Sequence, residues 1–266
     1  MDYRAVGVFD SGVGGLSAVR VLRRILPGEN IVYLADTANV PYGGRSVEEL
    51  RRLASASTRR LMAEGVKAIL VACGTVSSNC LEVVGEVSAL PYCGVVLPTA
   101  RMAAETTKNG RVGVLSTEAT ARSGAFSRAI SALAPDTAVL ETGTGLLVPL
   151  AEAGRTDYSD AGVREAVRTS LSPLLGSGID TLVLGCTHFP LLAGAIGEAA
   201  GPGVELVNSG AAGAMECARL LEGGGLLCGR DSGGTLRCLV SGDEAKFVRD
   251  AKLFLPDEAA IRVEKA

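Results

Sequence analysis

The sequence predicts an α/β protein made of two similar three-layer domains with mainly parallel sheets, related by a pseudo-twofold and facing each other across a cleft. Three observations carry this. Short apolar runs alternate with longer Ala-, Leu- and Arg-rich segments along the 266 residues, the texture of helix-on-sheet layering. Most of these runs lack a polar face, as parallel strands covered on both sides do. One strand-and-turn arrangement also occurs twice. Gly7-Val8-Phe9-Asp10-Ser11 is followed by Leu70-Val71-Ala72-Cys73-Gly74-Thr75, and Gly113-Val114-Leu115-Ser116-Thr117 by the strand 182–184 and Gly185-Cys186-Thr187-His188.

Taken in order, residues 5–9, 31–35, 68–72, 94–97, 112–115, 137–140, 182–184 and 205–207 read as strands. Helical patterns lie between them. Ser46 with Glu49 is a capping box, after which Leu50, Leu53, Ala54, Ser57 and Leu61 recur on one helix face. Arg51, Arg52, Arg59 and Arg60 read as the solvated side of that helix, with an anion site as the alternative. The break at Leu97-Pro98 divides the chain into residues 1–97 and 98–202, and the tail 203–266 rejoins the first domain. The glycines from Gly223 to Gly234 mark a flexible or hairpin-like surface excursion.

Composition narrows the function classes. The chain has 26 basic and 29 acidic residues, a net charge of −3 without basic clusters, which argues against nucleic acid or an anionic membrane as partner. Seven cysteines in a chain of this size read as free thiols in a reducing compartment. The N-terminus carries Asp2 and Arg4 rather than a signal peptide, and the apolar stretch 179–192 is short and interrupted. A soluble, cytoplasmic protein is expected.

Cys73 and Cys186 each leave a buried strand and precede a small polar residue. Two readings stand for each: an ordinary buried cysteine, or a thiol tuned at a strand-to-helix junction. Their matched placement favours the second, whereas Cys80, Cys93, Cys217, Cys228 and Cys238 read as structural. His188, the only histidine, lies two residues after Cys186 and is read as a functional neighbour of that thiol rather than a satisfied core residue. Cys-x-His supplies two ligands and nothing completes a zinc set, so no metal is expected. Asp10-Ser11-Gly12-Val13-Gly14-Gly15 fits neither the dinucleotide fingerprint nor a phosphate-binding loop with Lys, so a carboxylate or amino group held by Asp10 and Ser11 is the better reading, against a purely structural turn. Pro41-Tyr42-Gly43-Gly44 forms a second polar loop at the rim, and Thr117 and Thr120 repeat the theme in the second unit. Two thiols on opposite walls can remove a proton from one face of a carbon and return one to the other. No Schiff-base lysine motif is evident, and no cofactor is expected.

With these motifs in order, the chain resembles the glutamate racemases, cofactor-independent enzymes of the aspartate/glutamate racemase superfamily. The resemblance rests on Val8-Phe9-Asp10-Ser11-Gly12-Val13-Gly14-Gly15-Leu16, on Tyr33-Leu34-Ala35-Asp36-Thr37 with Pro41-Tyr42-Gly43, and on Leu184-Gly185-Cys186-Thr187-His188-Phe189-Pro190-Leu191. It implies that Cys73 takes the α-proton of D-glutamate and Cys186 that of L-glutamate. Asp10 would assist near Cys73 and His188 near Cys186. Ser11, Pro41, Tyr42, Gly43, Gly74, Thr75, Thr117, Thr120 and Thr187 would hold the substrate. It also implies a homodimer that supplies D-glutamate for peptidoglycan in the bacterial cytoplasm. The sequence departs from the family at Gly74, where asparagine is usual, and by smaller changes at Phe126, Phe189, Asn208 and the segment 141–146. The missing amide leaves two alternatives: a racemase for another amino acid such as aspartate, or an inactive racemase-like binding or regulatory protein.

Overall fold

The computed structural model describes residues 1–258 and 261–266. The first sheet begins with β1 (Val6–Asp10), β2 (Ile31–Ala35), β3 (Ala68–Val71) and β4 (Tyr92–Cys93), interleaved with α1 (Leu16–Ile25), α2 (Val47–Ala63), α3 (Gly74–Asn79) and α4 (Glu82–Val87). Helix α5 (Val96–Thr106) leads into β5 (Arg111–Ser116), α6 (Glu118–Ser123), α7 (Ala125–Leu133), β6 (Ala138–Gly143), α8 (Leu147–Glu152), α9 (Ala161–Leu171), β7 (Thr181–Leu184), α10 (Ala193–Ala200) and β8 (Glu205–Asn208). The chain then returns through α11 (Ser209–Gly223) to β9 (Leu236–Val240), α12 (Glu244–Phe254) and β10 (Arg262–Lys265).

Strand order is β10-β9-β2-β1-β3-β4 in one sheet and β6-β5-β7-β8 in the other, and the ladders are parallel throughout. Within each order the strands of one unit run second, first, third, fourth. The expected repeat is therefore a repeat of topology, and β3 and β7, which deliver Cys73 and Cys186, are its equivalent strands. In such sheets the carboxyl ends beside the order reversal form the ligand crevice.

Side-chain alternation explains the three layers. On β1, Val6 and Val8 face a core shared with α1, α11 and α12, while Phe9 faces the opposite core against α2, α3 and α4. On β5, Val112 and Val114 meet α5 and α7, whereas Leu115 meets α8, α9 and α10. Each fully buried Leu, Val or Phe contributes about 1.5–3 kcal/mol relative to exposure, so an all-apolar strand is stable only when covered on both faces.

The capping box at α2 forms as expected: Glu49 N–H donates to Ser46 Oγ at 3.3 Å, and Ser46 N–H to Glu49 Oε2 at 3.0 Å. Arg51 pairs with Glu82 and Glu86, and Arg60 with Glu64. Arg52 and Arg59 are exposed, so this face is solvated surface.

Three expectations need correction. Residues 94–97 are not a strand, because β4 ends at Cys93 and Val96 opens α5. Pro98 lies in the first turn of α5, where its missing N–H costs no intrahelical bond. The second unit extends past residue 202, since β8 pairs with β7. Strands β9 and β10 had no prediction of their own. Finally, the glycine-rich segment is no hairpin. Cys228 within it is buried, and its N–H donates to Glu29 Oε1 at 2.7 Å. Glu29 Oε2 in turn lies 2.6 Å from Lys67 Nζ, both side chains being buried. A closed ion pair thus fixes the excursion to the first sheet.

Candidate active site

A cavity of about 360 Å³ opens where the carboxyl ends of the two sheets meet, a size in the range of small-molecule sites. Cys73 and Cys186 both line it, with 3% and 5% of their surfaces exposed. Each enters from the end of its equivalent strand, one from each unit.

On the first unit's side, Cys73 caps α3 and its Sγ lies 3.7 Å from Ser11 Oγ. Burial, with the nearby Asp10 charge, pushes the Cys73 thiol up to about 12, because a thiolate there would lose its hydration and face a carboxylate. Asp10 is itself buried. Its Oδ1 accepts from Gly12 N–H at 2.9 Å and its Oδ2 from Thr187 Oγ1 at 3.4 Å. Burial raises the Asp10 carboxyl above its ordinary value, while His188 and these donors act against that rise.

On the second unit's side, Cys186 Sγ lies 3.8 Å from His188 Nδ1. The imidazole is buried against Phe254 of α12, edge to face at 5.8 Å. Its Nε2 stands 3.3 Å from Glu152 Oε1, close enough for an ion pair but not aligned as a hydrogen bond. Burial alone would lower the His188 pKa. Contacts with Cys186 and Glu152, together with the charge of Asp10, overcome it and raise the value to about 10. Glu152 is correspondingly lowered by His188, and Lys246 Nζ lies 3.6 Å from its other oxygen. These contacts favour the imidazolium form of His188 and so positive charge beside Cys186.

Hydroxyls join the two units. Thr75 Oγ1 lies 3.2 Å from Thr117 Oγ1, which donates to Thr120 Oγ1 at 3.0 Å. Tyr42 is set by a 2.6 Å hydrogen bond from its hydroxyl to Asp36 Oδ2, and Asp36 also accepts from Asn39 and from Ser241 beyond β9. The rim loop is thus fastened to the part of the first sheet built by the tail.

A family model described as Asp/Glu/hydantoin racemase matches residues 15–217. A glutamate racemase of Geobacter metallireducens is 43% identical over 255 residues, which cover 96% of this chain and 94% of that protein. The chain belongs to the glutamate racemase family. Among solved structures, a glutamate racemase isoform from Bacillus anthracis has a TM-score of 0.93 at 32% identity, over 100% of this chain and 98% of that one. A glutamate racemase from Thermus thermophilus in complex with β-chloro-D-alanine has a TM-score of 0.88 at 40% identity, with the same coverage. The fold class read from the sequence is shown by these likenesses, and the protein is an enzyme of the racemase class.

In this racemase the cavity gathers Ser11, Pro41, Tyr42, Gly43, Cys73, Gly74, Thr75, Thr117, Cys186, Thr187 and His188, all singled out from the sequence. Asp10 and Thr120 stand behind the wall rather than on it: Asp10 acts through Gly12 and Thr187, and Thr120 through Thr117. Sequence reasoning missed Glu152, the last residue of α8, and with it Glu118 and Thr144. Glu152 belongs to no local motif, and only its place three residues after Pro149 sets it apart in the sequence. Among the described residues, no group of three or more His, Cys, Asp or Glu is arranged to hold a metal.

Proposed function

We propose that this racemase interconverts L- and D-glutamate by a two-thiol, two-base mechanism without a cofactor. The observation that carries the reading is the entry of Cys73 and Cys186 into one small cavity from equivalent strand ends. In the L-to-D direction, Cys186 as thiolate accepts the α-proton, breaking Cα–H and leaving the electron pair at Cα. Cys73, whose thiol is kept protonated by burial and Asp10, then donates its proton to the opposite face. The reverse direction exchanges these roles. His188, held cationic by Glu152 and Cys186, balances negative charge on the Cys186 side. Among the described residues, no Lys or Arg lines the cavity, so the substrate carboxylates would be held by the hydroxyls of Ser11 and Thr75, by backbone N–H groups, and by Thr117 and Thr187 once their hydroxyls turn from Thr120 and Asp10 to the substrate, while Tyr42, which donates to Asp36, lines the wall.

The reading includes two domains as the working units, a homodimer, and a place in the bacterial cytoplasm supplying D-glutamate for peptidoglycan; the family resemblance supports these. Among the described residues, no helix is long and apolar enough to cross a membrane.

Heavy water tests the reading. L- and D-glutamate incubated separately should each gain deuterium at Cα and invert without pyridoxal phosphate. Cys73→Ser and Cys186→Ser should each lose inversion by at least ~100-fold, the scale of a removed acid or base, while still folding. Binding without exchange would point to a binding protein. Full activity in either variant would remove that thiol from the mechanism, and a preference for aspartate would move the substrate assignment.

A further inference from the structure

Gly74 directly follows Cys73, and Gly185 directly precedes Cys186. A Cβ built on Gly74 would stand 2.5 Å from the Gly185 carbonyl oxygen. The obstacle is backbone, which cannot swing aside as the end of a flexible side chain does. On the other flank of the same turn, a Cβ on Gly14 would stand 2.6 Å from His188 Nδ1. The turn that carries Cys186 is therefore held between two positions of the first unit that have no side chain.

Bonds within the first unit fix Gly74 from behind. Ser77 Oγ donates to the Val71 carbonyl at 2.9 Å and accepts from Val95 N–H at 3.2 Å, and Asn79 Nδ2 donates to the Thr75 carbonyl at 2.9 Å. Helix α3 is thus tied to β3 and to the start of α5, and a clash at Gly74 is relieved more easily by parting the two units than by moving α3.

We infer that Gly74 is a positioning residue: its bare Cα is the stop on which the two thiol-bearing turns close, and it sets the distance from which both sulfurs reach one carbon. The inference rests on the two-thiol reading. It also changes the meaning of glycine at this position. The sequence alone suggests a lost donor, whereas the contact shows that the space a side chain would begin in is already taken by the opposite unit's backbone.

Any Cβ at position 74 must push Gly185 back by about 0.9 Å to reach ordinary contact at 3.4 Å, and a misplacement of ~1 Å can cost ~100-fold in rate. The test is the series Gly74→Ala, Gly74→Ser and Gly74→Asn, with Gly194→Ala as control, since a Cβ on Gly194 meets nothing within 4 Å. Inversion of glutamate, deuterium exchange with retention, KM and the denaturation midpoint are read together. All three variants should lose kcat for inversion by about 100-fold and keep the wild-type midpoint. Exchange with retention should fall much less, because one thiol still reaches Cα while the other stands off. A merely structural role would lower the midpoint without changing the ratio of retention to inversion. Wild-type inversion by Gly74→Ala, a gain by Gly74→Asn, or failure of Gly74→Ala to fold would each overturn the inference. In the last case the contact would belong to the core rather than to the closure. Absence of inversion in the wild type would instead strike the two-thiol reading, and this inference with it.

Discussion

Raising the pH from 6.5 to 8.5 should weaken the fold through one side chain. His188 is the only histidine in the chain and is raised from 6.5 to about 10 in the folded protein. Between these values the folded chain holds a proton that the unfolded chain has released, so stability falls as pH rises. The stabilisation is fully present below pH 6.5 and gone above about 10. Its slope approaches 1.4 kcal/mol per pH unit, which integrates to about 2 kcal/mol between pH 6.5 and 8.5. Burial pushes the Cys73, Cys80 and Cys238 thiols up to about 12, well above this window. The window also avoids Glu152, which is held below its ordinary value. Denaturant unfolding at several pH values gives the slope directly. His188→Asn should flatten it, and Glu152→Gln should shift the loss to lower pH by weakening the ion pair that holds the proton. A wild-type stability flat across the window, or an unchanged slope in His188→Asn, would refute the assignment of a buried imidazolium.

Two further substitutions probe the frame around the cavity. Lys67→Met leaves Glu29 buried without its partner, and should cost ~3–5 kcal/mol as a lowered denaturation midpoint; an unchanged midpoint would show that Cys228 N–H alone satisfies that carboxylate. Thr117→Val removes the hydroxyl that accepts from Thr120 N–H at the start of α6 and meets Thr75 across the cleft. It should cost about 1 kcal/mol from the lost cap and raise KM for glutamate, and an unaltered KM would place Thr117 outside substrate binding.

The strands and thiols were legible because their signals are local. An unbroken apolar run such as Val6 to Phe9 needs cover on both faces wherever it sits, and a cysteine just after such a run must emerge at the end of its strand. The capping box of Ser46 and Glu49 is likewise complete within one turn. Other features are weak locally and were decided elsewhere. Strand β10 reads Arg-Val-Glu-Lys, a polar edge that becomes a strand only because β9 offers it a ladder. Pro98 broke the pattern in the right region, but its tolerance in the first helical turn, rather than a strand end, is what it marks.

The sequence by itself determined that two α/β units of the same design would each present a cysteine after a buried strand, since periodicity and composition settle burial and strand ends. Only the tertiary structure decided which groups surround each sulfur. Glu152 reaches His188 from α8, Asp10 bears on Cys73 and bonds Thr187, and the Gly185 carbonyl fills the space beside Gly74. Proton affinities and close approaches depend on charges and atoms brought within a few ångströms by packing, and chain separation says nothing of those distances.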